Sequence, residues 1–253
     1  MGFEIVTQRG LKLVRCTALT SQHAFSTRHG GISEGAYGSL NLGLSSGDER
    51  ERVLENRERF RQAGGFATAL HVGHQIHGAV VNEAPMEPGT KGDAVITDRP
   101  GVPIGVFVAD CVPILLEDRV TGAVAAVHSG WRGTAERAVL AAIAAMGRRY
   151  GTHPGDLVAA IGPSIKGCCY QVGSEVVTAL GGFPEPAAFT RQEGEAAYVD
   201  LQEANRQLLA QAGVGEIHVS GMCTHCDAEH FFSYRRDGER SGRMIGAIEA
   251  TPR

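Results

Sequence analysis

Three side chains with metal-binding or nucleophilic chemistry close separate apolar stretches of this sequence. They are His77 in HVGHQIHG, Cys111 in IGVFVADC and His128 in GAVAAVHS. Each stretch reads as a β-strand, and each residue sits at its C-terminal end beside Gly, Asp or Ser. If the strands are neighbours, their ends bring the three together. Two imidazoles and a thiolate form a zinc ligand set. Three protein ligands leave a fourth coordination position open for water or substrate, which distinguishes a catalytic zinc from a structural one. The same residues allow a metal-free reading, with Cys111 as nucleophile and His128 as its base. They also allow a core reading, because a buried histidine is commonly a satisfied core residue and a free cysteine a small hydrophobe. Spacing alone does not choose among these.

Arginine and glycine recur together in STRHGG, GWRGT and SYRRDGERSGR. Arg28, Arg132, Arg235 and Arg236 therefore belong to glycine-rich loops, where a guanidinium can fork onto phosphate. No GxxxxGK[ST] or GxGxxG occurs, which argues against a P-loop and a dinucleotide fold. Asp110, just before Cys111, could orient a histidine, hold a sugar hydroxyl or cap a strand end. CTHC at Cys223–Cys226 is a CxxC without a second CxxC; Cys168 and Cys169 are adjacent and do not supply one. A half-site completed by His230 competes with a reading as unpaired core or loop thiols.

Elements must position these groups. FEIVTQ and LKLVRC flank Arg9-Gly10 as an opening hairpin, and the glycine-rich stretch from His23 to Asp48 reads as a functional loop. A helix is expected from about Asp48, with Asp48 as cap, Glu51 at capping-box spacing and Gly64-Gly65 as its end. Short apolar runs then follow as strands: ALHVGHQIH, AVVNE, DAVITD, IGVFVAD, VPILLED and GAVAAVHS. TAERAVLAAIAAMGRRYG reads as one helix capped by Thr134 and ended by Gly151. LVAAIGPSI, EIHVSG and RMIGAIEA are expected strands; SEVVTALGG and DLQEANRQLLAQAG are expected helices. Strand runs mixed with helices predict an α/β (α+β) layered sandwich with mixed sheets, as a single domain over residues 1–253. The net charge of −4 gives no reason to expect nucleic acid or an anionic membrane as a partner. No apolar run is long enough to span a bilayer, and the N-terminus lacks the pattern of a signal peptide. These features, with six cysteines expected to be reduced, predict a cytoplasmic protein.

Taken in order, FSTRHGGIS, SLNLGL, NRERF, HQIHG, ADCVPILL, HSGWRGT, GPSIKGCCYQVG and FFSYRRDG…SGR resemble the YfiH-type, or laccase-domain, family along nearly the whole chain. The resemblance implies an α/β/β/α sandwich with zinc held by His77, Cys111 and His128, copper being the alternative metal. It implies phosphorolysis of adenosine, inosine, guanosine and methylthioadenosine, with adenosine deaminase activity in addition. The partners are then purine nucleosides and phosphate; the oligomeric state is left between monomer and homodimer. Arg28 is the first choice for a phosphate clamp, and Asn41 and Arg57 are expected to shape the nucleoside pocket. The CTHC pair is an addition not tied to that chemistry, leaving room for a second metal or a redox-sensitive thiol pair. Three other activities compete: a Cys111/His128 thiol hydrolase, a copper-dependent phenol oxidase, and a hydrolase that edits cell-wall precursors. The ten histidines include no H-x-H pair, which argues against a multicopper cluster. The zinc-deaminase pattern of H-x-E with P-C-x-x-C is also absent, so deamination here would be convergent chemistry.

Overall fold

The computed structural model describes residues 2–251. Arg9 (φ 49°) and Gly10 (φ 82°) both adopt left-handed backbone and reverse the chain between β1 (Phe3–Gln8) and β2 (Leu11–Cys16). This is the expected hairpin, with Phe3 opposite Cys16. The chain continues through β3 (Gln22–Ser26), α1 (Arg50–Gly64), β4 (Val81–Glu83), β5 (Ala94–Thr97) and β6 (Ile104–Val108). Then come β7 (Val112–Asp118), β8 (Val124–Ser129), α2 (Trp131–Ala135), α3 (Ala138–Tyr150), β9 (Leu157–Ile161), β10 (Gln171–Val172) and α4 (Ser174–Leu180). The last elements are β11 (Thr190–Glu193), β12 (Ala196–Val199), α5 (Leu201–Gln211), β13 (Glu216–Val219), α6 (Tyr234–Asp237) and β14 (Met244–Glu249).

Two large sheets form the centre. One is antiparallel, in the order β1-β2-β3-β14-β6; the other is mixed, in the order β13-β9-β7-β8-β5-β4, with parallel pairs at β4–β5 and β9–β13. Side chains alternate across a strand, so each strand feeds two layers. From β7 and β8, Leu115, Val124 and Ala126 point into a core shared with Val14, Phe25, Val106 and Ile248 of the other sheet. Their neighbours Ile114, Leu116, Ala125 and Val127 face outward onto Val139, Ala142 and Met146 of α3 and Leu208 of α5. On the far side, Leu13, Ala24 and Ala247 pack against Phe60 and Ala63 of α1. The result is the expected α/β/β/α layering, with strands buried on both faces because both faces are covered. A small third sheet, β10-β12-β11, was not anticipated from the sequence.

Three expected elements differ. Helix α1 starts at Arg50 after Glu49, without a side-chain cap. Asp48 instead accepts Ser33 Oγ (2.6 Å) and Asn41 Nδ2 (3.0 Å), tying down the preceding loop. The single helix expected from Thr134 is two helices, broken at Arg137 (φ 59°). Thr134 lies inside α2, where its Oγ1 joins a buried network with Ser129 Oγ (2.9 Å) and Asn205 Nδ2 (3.0 Å). ALHVGHQIH is not a strand: it makes only isolated bridges at His71 and His74.

The Ser129–Thr134–Asn205 network joins the end of β8 to α2 and α5 with its polar atoms fully enclosed. Asn205→Ala leaves two hydroxyls short of partners and is expected to cost about 1–3 kcal/mol in urea denaturation. An unchanged midpoint would show that the network does not hold these elements together.

Candidate metal centre

Strands β7 and β8 pair with Val112 opposite Ser129 and Pro113 opposite His128. This register puts Cys111, one residue before β7, beside the end of β8. Strand β5 flanks β8 on its other side, with Ala94 opposite Val127, so Asp93 lies alongside His128. The His128 N–H donates to the Asp93 carbonyl oxygen (2.7 Å), and His128 Nδ1 donates to the Asp93 carboxylate (2.8 Å). That same carboxylate accepts the backbone N–H groups of Ile76 (3.1 Å), His77 (2.9 Å) and Gly78 (2.9 Å). His77 therefore reaches the site on a coil pinned by Asp93, at φ 60°, and not from a strand end. Sequence reasoning passed over Asp93. The only signal was an acid opening a buried strand.

The ligand atoms of His77, Cys111 and His128 all lie within 4.8 Å of one another. The two imidazoles meet edge to face, with centroids 4.9 Å apart at 82°. Asp93 occupies Nδ1 of His128 and leaves Nε2 as the nitrogen able to serve as a ligand. Gly130 makes the close approach feasible: a Cβ there would lie 2.9 Å from Cys111 Sγ. Burial by itself would push the Cys111 thiol up. The charge and hydrogen bond of His128, then those of His77, outweigh it and bring the thiol down to about 6. Burial would lower His128, but the Cys111 thiolate and Asp93 raise it to about 9. The protein is thus built to keep an anionic sulfur next to imidazole. A divalent cation can replace the imidazolium proton as partner of that anion, so the donor set fits a metal of the zinc type, held by His77, Cys111 and His128.

The centre forms part of a cavity of about 290 Å³. Trp131, Tyr170 and Tyr234 supply aromatic wall, and Arg132 and Arg235 supply cationic groups. Arg132 lies over Trp131 (4.2 Å) and Arg235 over Tyr170 (5.0 Å). Asp110, also left-handed at φ 83°, serves neither as histidine partner nor as strand cap. Its carboxylate accepts Thr224 Oγ1 (2.6 Å), Ser233 Oγ (3.0 Å) and Arg235 N–H (2.6 Å), fixing the start of α6, which carries Tyr234 and Arg235. Two non-glycine residues in left-handed backbone, His77 and Asp110, thus flank the centre, a conformation that persists only where surrounding bonds hold it.

Arg28, Asn41 and Arg57 do not line this cavity. The Arg28 guanidinium stacks on Phe232 (4.6 Å), and its Nε and Nη1 donate to the Gly38 and Ala228 carbonyls. Asn41 is fully buried: it donates to Ser46 and Asp48 and accepts the N–H groups of Gly43 and Arg243. Arg57 donates to the Leu42 carbonyl and covers Phe107 (4.6 Å), in a separate cavity of about 270 Å³ beside α1. The cavity cations are instead Arg132 and Arg235, which lie in the short helices α2 and α6 and not in the glycine-rich loops expected from the sequence. His230 does not join the CTHC thiols but meets His29, ring centroids 5.4 Å apart, and Glu229. Cys168 and Cys169 do join Cys223 and Cys226, which their separation in sequence concealed.

A four-layer α/β sandwich with two histidines and a cysteine converging in an aromatic cavity defines a metal-binding enzyme of the laccase-like class. The chain belongs to the family described as multi-copper polyphenol oxidoreductase laccase, whose model matches residues 22–251. It is 41% identical to a purine nucleoside phosphorylase of Deinococcus radiodurans, over 96% of this chain and 94% of that protein. It is 36% identical to purine nucleoside phosphorylase YfiH of Escherichia coli, over 88% of this chain and 91% of that protein. The crystal structure of YlmD from Geobacillus stearothermophilus superposes with a TM-score of 0.90 at 35% identity, covering 98% of this chain and 100% of that one. No helix among the described residues is long and apolar enough to cross a membrane.

Asp93→Ala removes the acceptor that orients His128 and pins His77. Loss of a group that orients a metal ligand typically weakens metal affinity about 10–100-fold. Competition with a chromogenic chelator is expected to show a loss of that size, and unaltered affinity would remove Asp93 from the design of the site.

Proposed function

We propose that this chain is a zinc-dependent purine nucleoside phosphorylase. Its substrates are adenosine, inosine, guanosine and methylthioadenosine, and the same centre deaminates adenosine. The observation that carries the reading is the convergence of His77, Cys111 and His128 in a cavity with three aromatic side chains and two arginines. The names of the relatives agree with it. Zinc bound there would supply a Lewis-acidic position beside the substrate. The chain's own residues do the rest. Trp131, Tyr170 and Tyr234 offer faces against which a purine stacks. Arg132 and Arg235 offer forked donors that hold phosphate so that one of its oxygens bonds to C1′ as the C1′–N9 bond breaks. The Asp110 carboxylate fixes the backbone of Arg235 and so places that guanidinium. Burial first, then the nearby Cys111 charge, pushes the Tyr170 phenol up to about 12. It stays protonated at neutral pH and can donate a hydrogen bond to the departing base. Deamination would instead present C6 of adenine to the centre, where water adds as the C6–N6 bond breaks and ammonia leaves. The soluble substrates and the absence of a membrane-spanning helix among the described residues suit a cytoplasmic enzyme.

A second reading rests on the depressed Cys111 thiol beside the elevated His128. This is a thiolate–imidazolium pair that could work without metal as a thiol hydrolase. Elemental analysis and iodoacetamide labelling separate the two: zinc at the centre shields Cys111, whereas a free nucleophile labels stoichiometrically.

With inosine and phosphate, the purified enzyme is expected to release hypoxanthine and ribose 1-phosphate in equal amounts. With adenosine alone it is expected to release ammonia. Cys111→Ala is expected to lower both activities by at least about 100-fold, because it removes a metal ligand. Arg132→Ala and Arg235→Ala are each expected to raise KM for phosphate by about 10-fold or more, the loss typical of a charge-assisted hydrogen bond. Purine release that does not depend on phosphate would refute phosphorolysis. Full activity in Cys111→Ala would refute the assignment of the centre.

A further inference from the structure

We propose that Cys168, Cys169, Cys223 and Cys226 form a second metal site: a closed tetrathiolate that takes a thiophilic, tetrahedral divalent cation of the zinc type and clamps two loops of the cavity wall. All four sulfurs lie within 4.8 Å of one another. Individual separations are 3.6 Å for Cys168–Cys223, 3.5 Å for Cys168–Cys226 and 3.2 Å for Cys169–Cys226. Four sulfurs at zinc–thiolate distance around one tetrahedral ion stand about 3.8 Å apart. A disulfide would bring a pair to about 2.05 Å and leave the other two behind. The four thiols are thus gathered as corners of one small polyhedron and not as two bonded pairs, and all are free cysteines.

Two independent backbone devices set the corners. Cys169 N–H and Tyr170 N–H both donate to the Lys166 carbonyl (2.9 Å each), a turn that presents the adjacent Cys168 and Cys169. In the other arm Asp227 N–H donates to the Cys223 carbonyl (3.0 Å) and closes the CxxC turn. The arms are already joined: Thr224 N–H donates to the Ser164 carbonyl (3.0 Å), and Gln202 Nε2 donates to both Ser164 Oγ and the Met222 carbonyl (3.0 Å each). Arg236 donates to the Thr224 and His225 carbonyls (3.0 and 3.1 Å), bringing a cation to a cluster that would carry net negative charge. The site is therefore preorganised by bonds that do not involve the sulfurs.

Four protein ligands fill a tetrahedral ion and leave no position for substrate, so the role is structural, unlike that of the centre at Cys111. Its reach into the cavity is direct. The first arm continues into Ile165, whose N–H donates to the Asp110 carbonyl (3.0 Å), and into Tyr170. The second arm carries Thr224, whose hydroxyl donates to the Asp110 carboxylate (2.6 Å). A cation joining the arms would hold Asp110, and with it the backbone that presents Cys111.

The inference is independent of the proposed activity, and the test reads metal, not turnover. Protein purified under reducing conditions and loaded with zinc, then freed of excess, is expected to hold about two ions per chain by elemental analysis. Cys111→Ala and the double variant Cys168→Ser/Cys226→Ser are each expected to hold about one. Cobalt(II) loaded into Cys111→Ala is expected to give the intense sulfur-to-metal charge-transfer bands of a tetrathiolate, which checks the site with all four thiols intact. One ion in the wild type, lost in Cys111→Ala and kept in the double variant, would overturn the proposal. So would cobalt spectra without tetrathiolate bands in Cys111→Ala, or mass spectra showing two disulfides among these cysteines in protein that refuses metal.

Discussion

The buried carboxylate of Asp93 is the constraint on which the centre depends. It is fully enclosed, and an unpartnered carboxylate there would cost several kcal/mol. Three backbone N–H groups and one imidazole N–H meet it instead. Hydrogen bonds to a charged group contribute about 1.5–3 kcal/mol each, so four of them offset desolvation and hold the group ionised. Burial alone would raise its pKa, yet the bonds from His128 and the 76–78 backbone bring it below the usual value. One residue thereby holds an irregular segment against a sheet, sets His77 in left-handed backbone and leaves Nε2 of His128 able to serve as a ligand.

Asp110 does for the cavity wall what Asp93 does for the ligands. It follows β6, precedes Cys111 and gathers a hydroxyl from each of two residues plus a backbone N–H from a third. The wall it gathers also carries the cysteines of the second cluster. Both acids stand at strand ends, Asp93 just before β5 and Asp110 just after β6, because a sheet satisfies its own backbone and a coil must find acceptors elsewhere. The site therefore gathers at the ends of strands: His128 next to last in β8, His77 and Cys111 on adjoining coil, and the arginines in the short helices α2 and α6.

Much of the architecture was legible in local pattern. The opening hairpin, strands β5 to β9 and helix α5 follow from apolar runs and turn residues. The capping of α1 was misread because Asp48 is spent on Ser33 and Asn41, both distant in sequence. The long helix after His128 is divided at Arg137, whose backbone is left-handed, and Thr134 lies inside the first piece as part of a buried network about which local propensity carries no information. ALHVGHQIH looked like a strand, yet its backbone is fixed by Asp93 and a few bridges.

Residue identity and order were enough to single out His77, Cys111 and His128 as candidates, because few side chains bind a thiophilic cation and three of them close separate apolar stretches. They were also enough to mark glycine-rich arginine loops. Which arginines face the cavity was decided by folding: Arg28 lies over Phe232 and Arg57 over Phe107, outside the cavity, while Arg132 and Arg235 line it. The role of Asp93 and the meeting of Cys168 and Cys169 with Cys223 and Cys226 were likewise invisible in the chain. Those pairings join residues 35 and more than 50 positions apart. Only the register of the strands and the path of the loops brings them within bonding distance, and both are properties of the assembled layers.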